Sequence, residues 1–422
     1  MIPLARPFLG KEEVAAVKRV IFSRWVTQGP KVHEFERAFA SYVGAKYACA
    51  VSSCTAALHL ALLVAGVRPG DVVITVSHSF IATANSIRHA GAEPVFVDID
   101  PDNYNMSPSS LEICLLRDCI TINGRLYYKN ASKIAKYGSP LSYYSKINPS
   151  YSKYGFGQVK AIVPVHQMGI PCDISSILYI SNKYGLPVIE DAACAVGSEL
   201  LYKKRWEKVG KPHGFAACFS FHPRKIMTTG EGGMITTHNK NIDSKLRLLR
   251  QHGMNISDVK RHNINKIINE KYVAAGFNYR MTDIQAAVGI EQLKKLPAMI
   301  EERHKIASLY NNLLRNNVPW MQPFLPNQFI KPNWQSYPVK IVDRNKGFQK
   351  IIMRTLLNNG IATKRGIMNA HLEPVYNQFH YSLPESERAQ DNVILLPFYN
   401  GIREKDISKV INLLKTLNNI II

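Results

Sequence analysis

The stretch FSFHPRKIMTTGEGGM (residues 219–234) holds one lysine, Lys225, between an aromatic-serine-aromatic run and a glycine-rich turn. Immediately upstream, FAACFSF (215–221) is an almost unbroken apolar run, and downstream GGMITT (232–237) is another. Short apolar runs bounded by glycine read as buried strands. The same texture recurs in YACAVSS, VVITV, EPVFVDID, VKAIVPVH (159–166) and LPVIEDAA (186–193). Between these lie helical patterns in KVHEFERAFASYV, SSCTAALHLALLVAGV, SFIATANSIRHAG and SSILYISNKYG. Nearly continuous apolar strands alternating with helices imply an α/β fold with a mostly parallel sheet covered on both faces. Residues 30–295 are expected to form this large domain.

Beyond it the texture changes. A long helix is expected over about residues 283–312, where QAAVGIEQLKKL keeps an apolar stripe. SYPVKIVD then reads as a strand, and GFQKIIMRTLLNNG and DISKVINLLKTL as helices. Residues 296–422 are therefore expected to form a smaller α+β domain, with 1–29 as an N-terminal segment packing near it. One segment breaks the pattern. Residues 119–158, rich in Tyr, Ser, Lys and Gly, carry no clear period and read as a surface insertion, or as a lid facing the substrate.

Composition narrows the classes. The chain has 422 residues, 46% hydrophobic and 20% charged, which is ordinary for a globular protein. No apolar run reaches the length of a membrane span. The opening MIPLARPFLGKEE lacks the apolar core of a signal peptide, so a cytoplasmic location is expected. The seven cysteines show no CxxC pair, which argues against a disulfide framework, a zinc site or a cysteine-held iron–sulfur cluster. The net charge of +22 favours anionic ligands. The basic residues form no dense block and no nucleic-acid motif accompanies them, so no specific nucleic-acid role is expected.

A lysine becomes a catalyst when its amine can attack a carbonyl. Pyridoxal 5′-phosphate chemistry uses a lysine in this way and sets an acid against the pyridine nitrogen. Asp191 ends the strand LPVIED, and Lys225 lies just past the next strand. Ligands of open α/β sheets gather at the carboxyl ends of strands, so both residues are expected at one crevice. SSCTAAL (52–58) leads into a helix whose first N–H groups are free to hold a phosphate, with Thr55 adding a hydroxyl and Ser220 a second one. Phe80 is a candidate to lie against the ring.

Order and spacing add to these features. The chain resembles the DegT/StrS-type sugar aminotransferases of the aspartate aminotransferase fold, through WVTQGPKVHEFERAFASYVGAKYA, FIATANSIRHAGAEPVFVDIDPD, AIVPVHQMGIPCD, GLPVIEDAACAVGS, CFSFHPRKIMTTGEGGMITT, LRLLRQHG and FNYRMTDIQAAVG. The resemblance implies fold type I, with a seven-stranded sheet. It makes Lys225 the Schiff-base lysine, Asp191 the pyridine-nitrogen partner, Phe80 the stacking ring, and Thr55, Ala56 and Ser220 phosphate contacts. It implies a homodimer in which Asn278 reaches the neighbour's cofactor phosphate. Two positions depart from the pattern: Cys194 stands where Gln or His is frequent, near the cofactor's phenolic oxygen, and Cys54 stands where Gly is frequent. A lysine at 225 favours amino transfer, because histidine replaces it in the sugar dehydratase branch.

The implied reaction moves an amino group from an amino acid, expected to be glutamate, to a keto-sugar linked to a nucleotide. Arg24, Arg250 and Arg280 are candidates for the diphosphate, and His166, His222 and His252 for the sugar. Two alternatives stand beside this: an aminotransferase acting on a non-nucleotide cyclic ketone, as in aminocyclitol formation, and a non-catalytic regulatory member of the fold.

Overall fold

The structure is a computed structural model that describes residues 1–147, 155–256, 269–344 and 347–418. Seven strands build the large sheet: β1 (Tyr47–Val51), β2 (Val72–Val76), β3 (Glu93–Val97), β4 (Val159–Val163), β5 (Ile189–Asp191), β6 (Ala216–Ser220) and β7 (Gly233–Thr237). Hydrogen-bonded ladders join β1-β7-β6-β5 and β4-β2-β3. The parallel bridges Ile162↔Val188 and Val165↔Asp191 connect the two groups, so the order across the sheet is β1-β7-β6-β5-β4-β2-β3. Only β7 runs antiparallel. The seven-stranded, mostly parallel sheet expected from the resemblance is present. Strands β2, β3, β6 and β7 are buried at every position, as a sheet sandwiched between helices requires.

The helices Pro30–Val43, Cys54–Val64, Ala82–His89 and Ile174–Lys183 occupy the expected segments. Helix Asp283–Asn317 is five residues longer than expected and continues through Pro297. Packing holds the helix together across the proline, which removes one hydrogen bond. Its first half lies against helices Lys11–Ser23 and Pro30–Val43, and its second half against the small sheet. That sheet is antiparallel, with β8 (Met321–Pro323), β9 (Tyr337–Ile341), β10 (Lys364–Arg365) and β11 (Val393–Leu396) in the order β8-β9-β11-β10. Helices Phe348–Asn358 and Glu404–Lys415 pack with it. The extreme N-terminus joins this region: Ile2 bridges Ile361, and the Phe398 N–H donates to the Leu4 carbonyl.

Segment 119–158 departs from expectation. It opens with a hairpin, Cys119–Ile122 paired with Arg125–Tyr128. Asn123 and Gly124 form its turn with φ of 49° and 72°. Asn-Gly is the pair that such a tight turn favours. Leu126, Tyr128, Ala131, Ile134, Leu141 and Phe156 are buried in the main core. The described part of the segment is thus a packed element rather than a surface loop. Residues 148–154, on which part of the lid expectation falls, lie outside the described residues.

Candidate active site

The carboxyl ends of β4, β5 and β6 and the turn after β1 open on one edge of the sheet. β7 begins at that edge, with Gly233 opposite both Val51 and Ser220. A Cβ on Gly233 would sit 2.4 Å from the Ser53 carbonyl oxygen, so only glycine lets the SSCT turn approach this closely. Ser53 caps helix Cys54–Val64 by accepting from the Ala56 N–H at 3.1 Å. The turn leaves Thr55 half-buried and Ala56 buried, with Ser220 buried at the end of β6. A helix N-terminus framed by small hydroxyl residues is a ready anion cradle.

Asp191 is 4% exposed. One carboxylate oxygen accepts from the Thr83 hydroxyl at 2.8 Å and the other from the Ala193 N–H at 3.1 Å. Thr83 bonds in turn to the Ser79 hydroxyl at 2.8 Å. Since Thr83 donates its proton to the carboxylate, Ser79 must be the donor in that contact. Burial pushes the Asp191 pKa above its ordinary value, and the Thr83 and Ala193 bonds and the charges of Lys225 and His166 offset only part of this.

Lys225 follows a tight turn in which its N–H donates to the His222 carbonyl. Its side chain is half-buried, and the ammonium donates to the Cys194 sulfur at 3.0 Å. Burial disfavours the charged lysine, yet Cys194, Cys54 and Asp191 outweigh it and leave the pKa above the usual value. Cys54, buried beside this group, has its thiol pKa pushed well up by burial and then by Asp191. Lys225, Asp191, Cys194 and Cys54 therefore share one crevice. Phe80 stands at the same sheet edge with 63% of its surface exposed, an aromatic face free to meet a ring.

These residues fit pyridoxal 5′-phosphate. The buried Asp191 carboxylate has only neutral hydrogen-bond donors, so a protonated ring nitrogen would supply the cation it lacks. An amine stands across the crevice, and a helix N-terminus offers N–H groups to the phosphate. No cluster of His, Cys, Asp or Glu among the described residues is arranged to hold a metal ion.

Several candidates for substrate contact do not reach this crevice. Arg250 is 2% exposed and its guanidinium bonds to Glu36 and the Ala50 carbonyl, so it braces the fold and is not available to a diphosphate. Its partner Glu36 has burial working against its charge. The charges of Arg250 and Arg247 and a bond from His33 nevertheless hold it far below the ordinary carboxylate range. The resulting stabilisation is complete above the usual glutamate pKa and is lost as the pH falls toward the folded value. Arg250→Met would leave Glu36 with Arg247, at 2.7 Å, as its remaining arginine partner and is expected to cost about 3 kcal/mol in urea unfolding at neutral pH.

His166 is also fully buried, and both ring nitrogens are bonded within the fold. Its Nδ1 accepts from the Cys172 N–H at 3.0 Å, and Nε2 bonds to Glu190 at 3.1 Å. His222 accepts from the Arg224 N–H and stiffens the lysine turn. Arg24 and His252 are exposed, each with a left-handed backbone, at φ of 61° and 62°. Asn278 is exposed and accepts from Arg280 Nε at 3.1 Å. The extended segment holding Asn278 and Arg280 bonds to the SSCT turn through the Ser52 N–H, which donates to the Tyr279 carbonyl.

Sequence reading missed Thr83, and it missed Lys364 and Arg365 on β10. Lys364 projects at the surface, but partial burial and then the charges of Arg224, Arg365 and Lys225 press its pKa down. Lys364 therefore lies within electrostatic reach of Arg224, Arg365 and Lys225, and Arg365 has the Glu373 carboxylate at 3.7 Å.

Comparison with known proteins agrees with this geometry. Residues 7–117 and 144–415 match the model of the DegT/DnrJ/EryC1/StrS aminotransferase family. The gap between them falls in the inserted segment. The chain is similar to the spore coat polysaccharide biosynthesis protein SpsC of Bacillus subtilis, with 34% identity over 99% of this chain and 97% of that one. Helicobacter pylori PseC, an aminotransferase involved in the biosynthesis of pseudoaminic acid, superposes with a TM-score of 0.80 at 27% identity, covering 98% of both chains. The pyridoxal-phosphate form of a putative sugar aminotransferase, Spr1654 of Streptococcus pneumoniae, shares the fold at a TM-score of 0.81 and 24% identity, covering 99% of this chain and 98% of that one. The chain belongs to the DegT/DnrJ/EryC1/StrS family and is a pyridoxal-phosphate-dependent aminotransferase.

Proposed function

We propose that this enzyme transfers an amino group from glutamate to a nucleotide-linked keto-sugar, giving an amino-sugar for polysaccharide or glycan synthesis. The observation that carries the proposal is the single crevice shared by Lys225 and Asp191, with cations at its mouth. Bound pyridoxal phosphate supplies an electron-withdrawing ring that takes up the amino group and passes it on. Lys225 would hold the cofactor covalently at rest, and its amine, when free and neutral, is the base placed to take a proton from the donor's α-carbon. Asp191 would face the ring nitrogen and, as a carboxylate, stabilise positive charge there. Thr83 and Ala193 fix the direction of its carboxylate.

Ser53, Cys54, Thr55, Ala56 and Ser220 would hold the phosphate, and Phe80 would cover the ring. Asn278 serves the site of a second copy, so the working unit is a homodimer. Cys194 faces the lysine where the phenolic oxygen of the ring would lie. No helix among the described residues is long and apolar enough to cross a membrane. The seven cysteines are free thiols, six of them buried, which fits the reducing cytoplasm.

Arg224, Lys364 and Arg365 explain why the acceptor should carry a diphosphate. Arg365 has the Glu373 carboxylate at 3.7 Å, but Lys364 has its charge disfavoured by Arg224, Arg365 and Lys225, a cost that a bound anion would relieve. Lys364→Ala and Arg365→Ala are each expected to raise KM for such an acceptor roughly tenfold, leaving the amino-acid half-reaction unchanged. A stopped-flow measurement of each half-reaction separates the two. The overall proposal is tested by absorbance. Purified protein should be yellow, lose the colour with glutamate, and regain it with the correct keto-sugar. A panel of nucleotide-linked 3-keto and 4-keto sugars beside scyllo-inosose tests the acceptor. Recovery with scyllo-inosose alone would point to aminocyclitol chemistry, and a colourless protein to a non-catalytic role.

A further inference from the structure

Four residues that precede β9, Asn333-Trp334-Gln335-Ser336, bond to three separate turns of the large sheet's carboxyl edge. Asn333 is fully buried, and its side-chain amide donates to the carbonyls of Cys194 at 2.9 Å and Val196 at 2.8 Å. Its backbone N–H donates to the Ser198 hydroxyl at 3.0 Å, which donates in turn to the Gly169 carbonyl at 2.7 Å. The Ser336 N–H reaches the Met168 carbonyl at 3.3 Å. Gln335 completes the set. Its Oε1 accepts from the Ile226 N–H at 2.8 Å, and its Nε2 donates to the Arg224 carbonyl at 2.6 Å. These are the residues on either side of Lys225.

Gln335 itself has little freedom. It is 8% exposed, and its N–H donates to Asn333 Oδ1 at 2.8 Å. Arg303, from the long helix, donates to the Trp334 carbonyl at 2.8 Å and to Asn400 at 2.8 Å. Trp334 sits at φ of 54°, a conformation that a bulky residue keeps only where surrounding bonds overdetermine it. The segment is thus locked from behind by the long helix and reaches forward to the turns after β4, β5 and β6.

We infer that Gln335 is a positioning residue for Lys225, gripping the backbone on both sides of the lysine so that its amine stays aimed at the crevice. The inference rests on the reading of Lys225 as the covalent partner of the cofactor. A primary amide suits the task because it offers one acceptor and one donor side by side, matching the N–H and carbonyl that flank Lys225. Glutamate at 335 keeps the acceptor toward Ile226 but donates to the Arg224 carbonyl only when protonated. Methionine, of similar length, does neither.

The test follows cofactor attachment, with turnover as a second readout. Wild type, Gln335→Met and Gln335→Glu are reconstituted with pyridoxal phosphate, reduced with borohydride over a range of pH, and mapped for the label on Lys225 by peptide mass. Thermal unfolding confirms that each variant is folded. Gln335→Met is expected to attach the cofactor about tenfold more slowly and to lose about a hundredfold in kcat with KM little changed, as a misaimed reacting group does. In Gln335→Glu the rate of attachment, relative to wild type at the same pH, should fall as the pH rises through the titration of the introduced carboxyl. Should Gln335→Met fail to fold, that pH profile alone decides. Wild-type behaviour in the folded variants, with Lys225 labelled, overturns the inference alone. Absence of label on Lys225 in the wild type overturns the reading of the lysine as well.

Discussion

Lys225→Ala is expected to give a folded protein that binds pyridoxal phosphate without covalent attachment and without colour fixed by borohydride. Turnover should fall by at least about four orders of magnitude, since the covalent anchor and the proton carrier are lost together. The fold should survive. The ammonium is half-buried and its one hydrogen bond among the described residues is to the Cys194 sulfur, so the change in stability is expected to stay within about 1 kcal/mol. Attachment in the wild type has a pH signature of its own. The free lysine has a raised pKa, burial notwithstanding, because Cys194, Cys54 and Asp191 favour its charged form. Attack requires the neutral amine, so the rate of attachment should climb as the pH rises toward that pKa. Measured activity above a thousandth of wild type in Lys225→Ala would remove the lysine from the mechanism.

Asp191→Asn is expected to cost about 10²–10³-fold in kcat/KM, the scale seen when one preorganised electrostatic group is removed. Its effect on the cofactor-free protein should have the opposite sense. The folded Asp191 pKa is raised above the ordinary aspartate value, burial being the largest cause. Between the unfolded and folded values the native state binds more protons than the unfolded chain. Stability contributed by this group is therefore lost as the pH rises through that window. Above the ordinary aspartate value the buried carboxyl opposes folding of the cofactor-free site, and the isosteric amide removes that cost while keeping its acceptor toward Thr83 and giving up the one toward Ala193. Without cofactor the variant should unfold at the same temperature as wild type or higher. With cofactor the wild type should gain more, because only it supplies a counter-charge to the ring nitrogen. Differential scanning calorimetry with and without pyridoxal phosphate reads both. A cofactor-free variant that melts well below wild type would show that Asp191 serves the fold and not the ring.

The large sheet was legible because most of its strand positions are buried on both faces and so are largely apolar, as in VVITV and EPVFV. Lys225 and Asp191 were legible because each lies at or just beyond the carboxyl end of such a strand. The hairpin after Cys119 also left a local signal, Asn123-Gly124, but the polar and aromatic residues around it hid the period. Arg250 and His166 were misjudged for a different reason. An arginine for a diphosphate and an arginine for a buried glutamate are the same residue type, and only the location of Glu36, 214 residues away, tells them apart.

Local alternation of apolar and polar residues, and the chemistry of one amine and one carboxylate at strand ends, were determined by the amino-acid order alone. Those features depend on neighbours along the chain. Tertiary structure decided how the carboxylate is aimed, through Thr83 at a separation of 108 residues, and how the lysine turn is gripped, through Gln335 at a separation of 109 from Ile226. It also brought Lys364, on the antiparallel sheet, within electrostatic reach of Lys225. Hydrogen bonds and charges act over a few ångströms of space regardless of the length of chain between them, so no periodicity in the sequence announces which distant residues will meet.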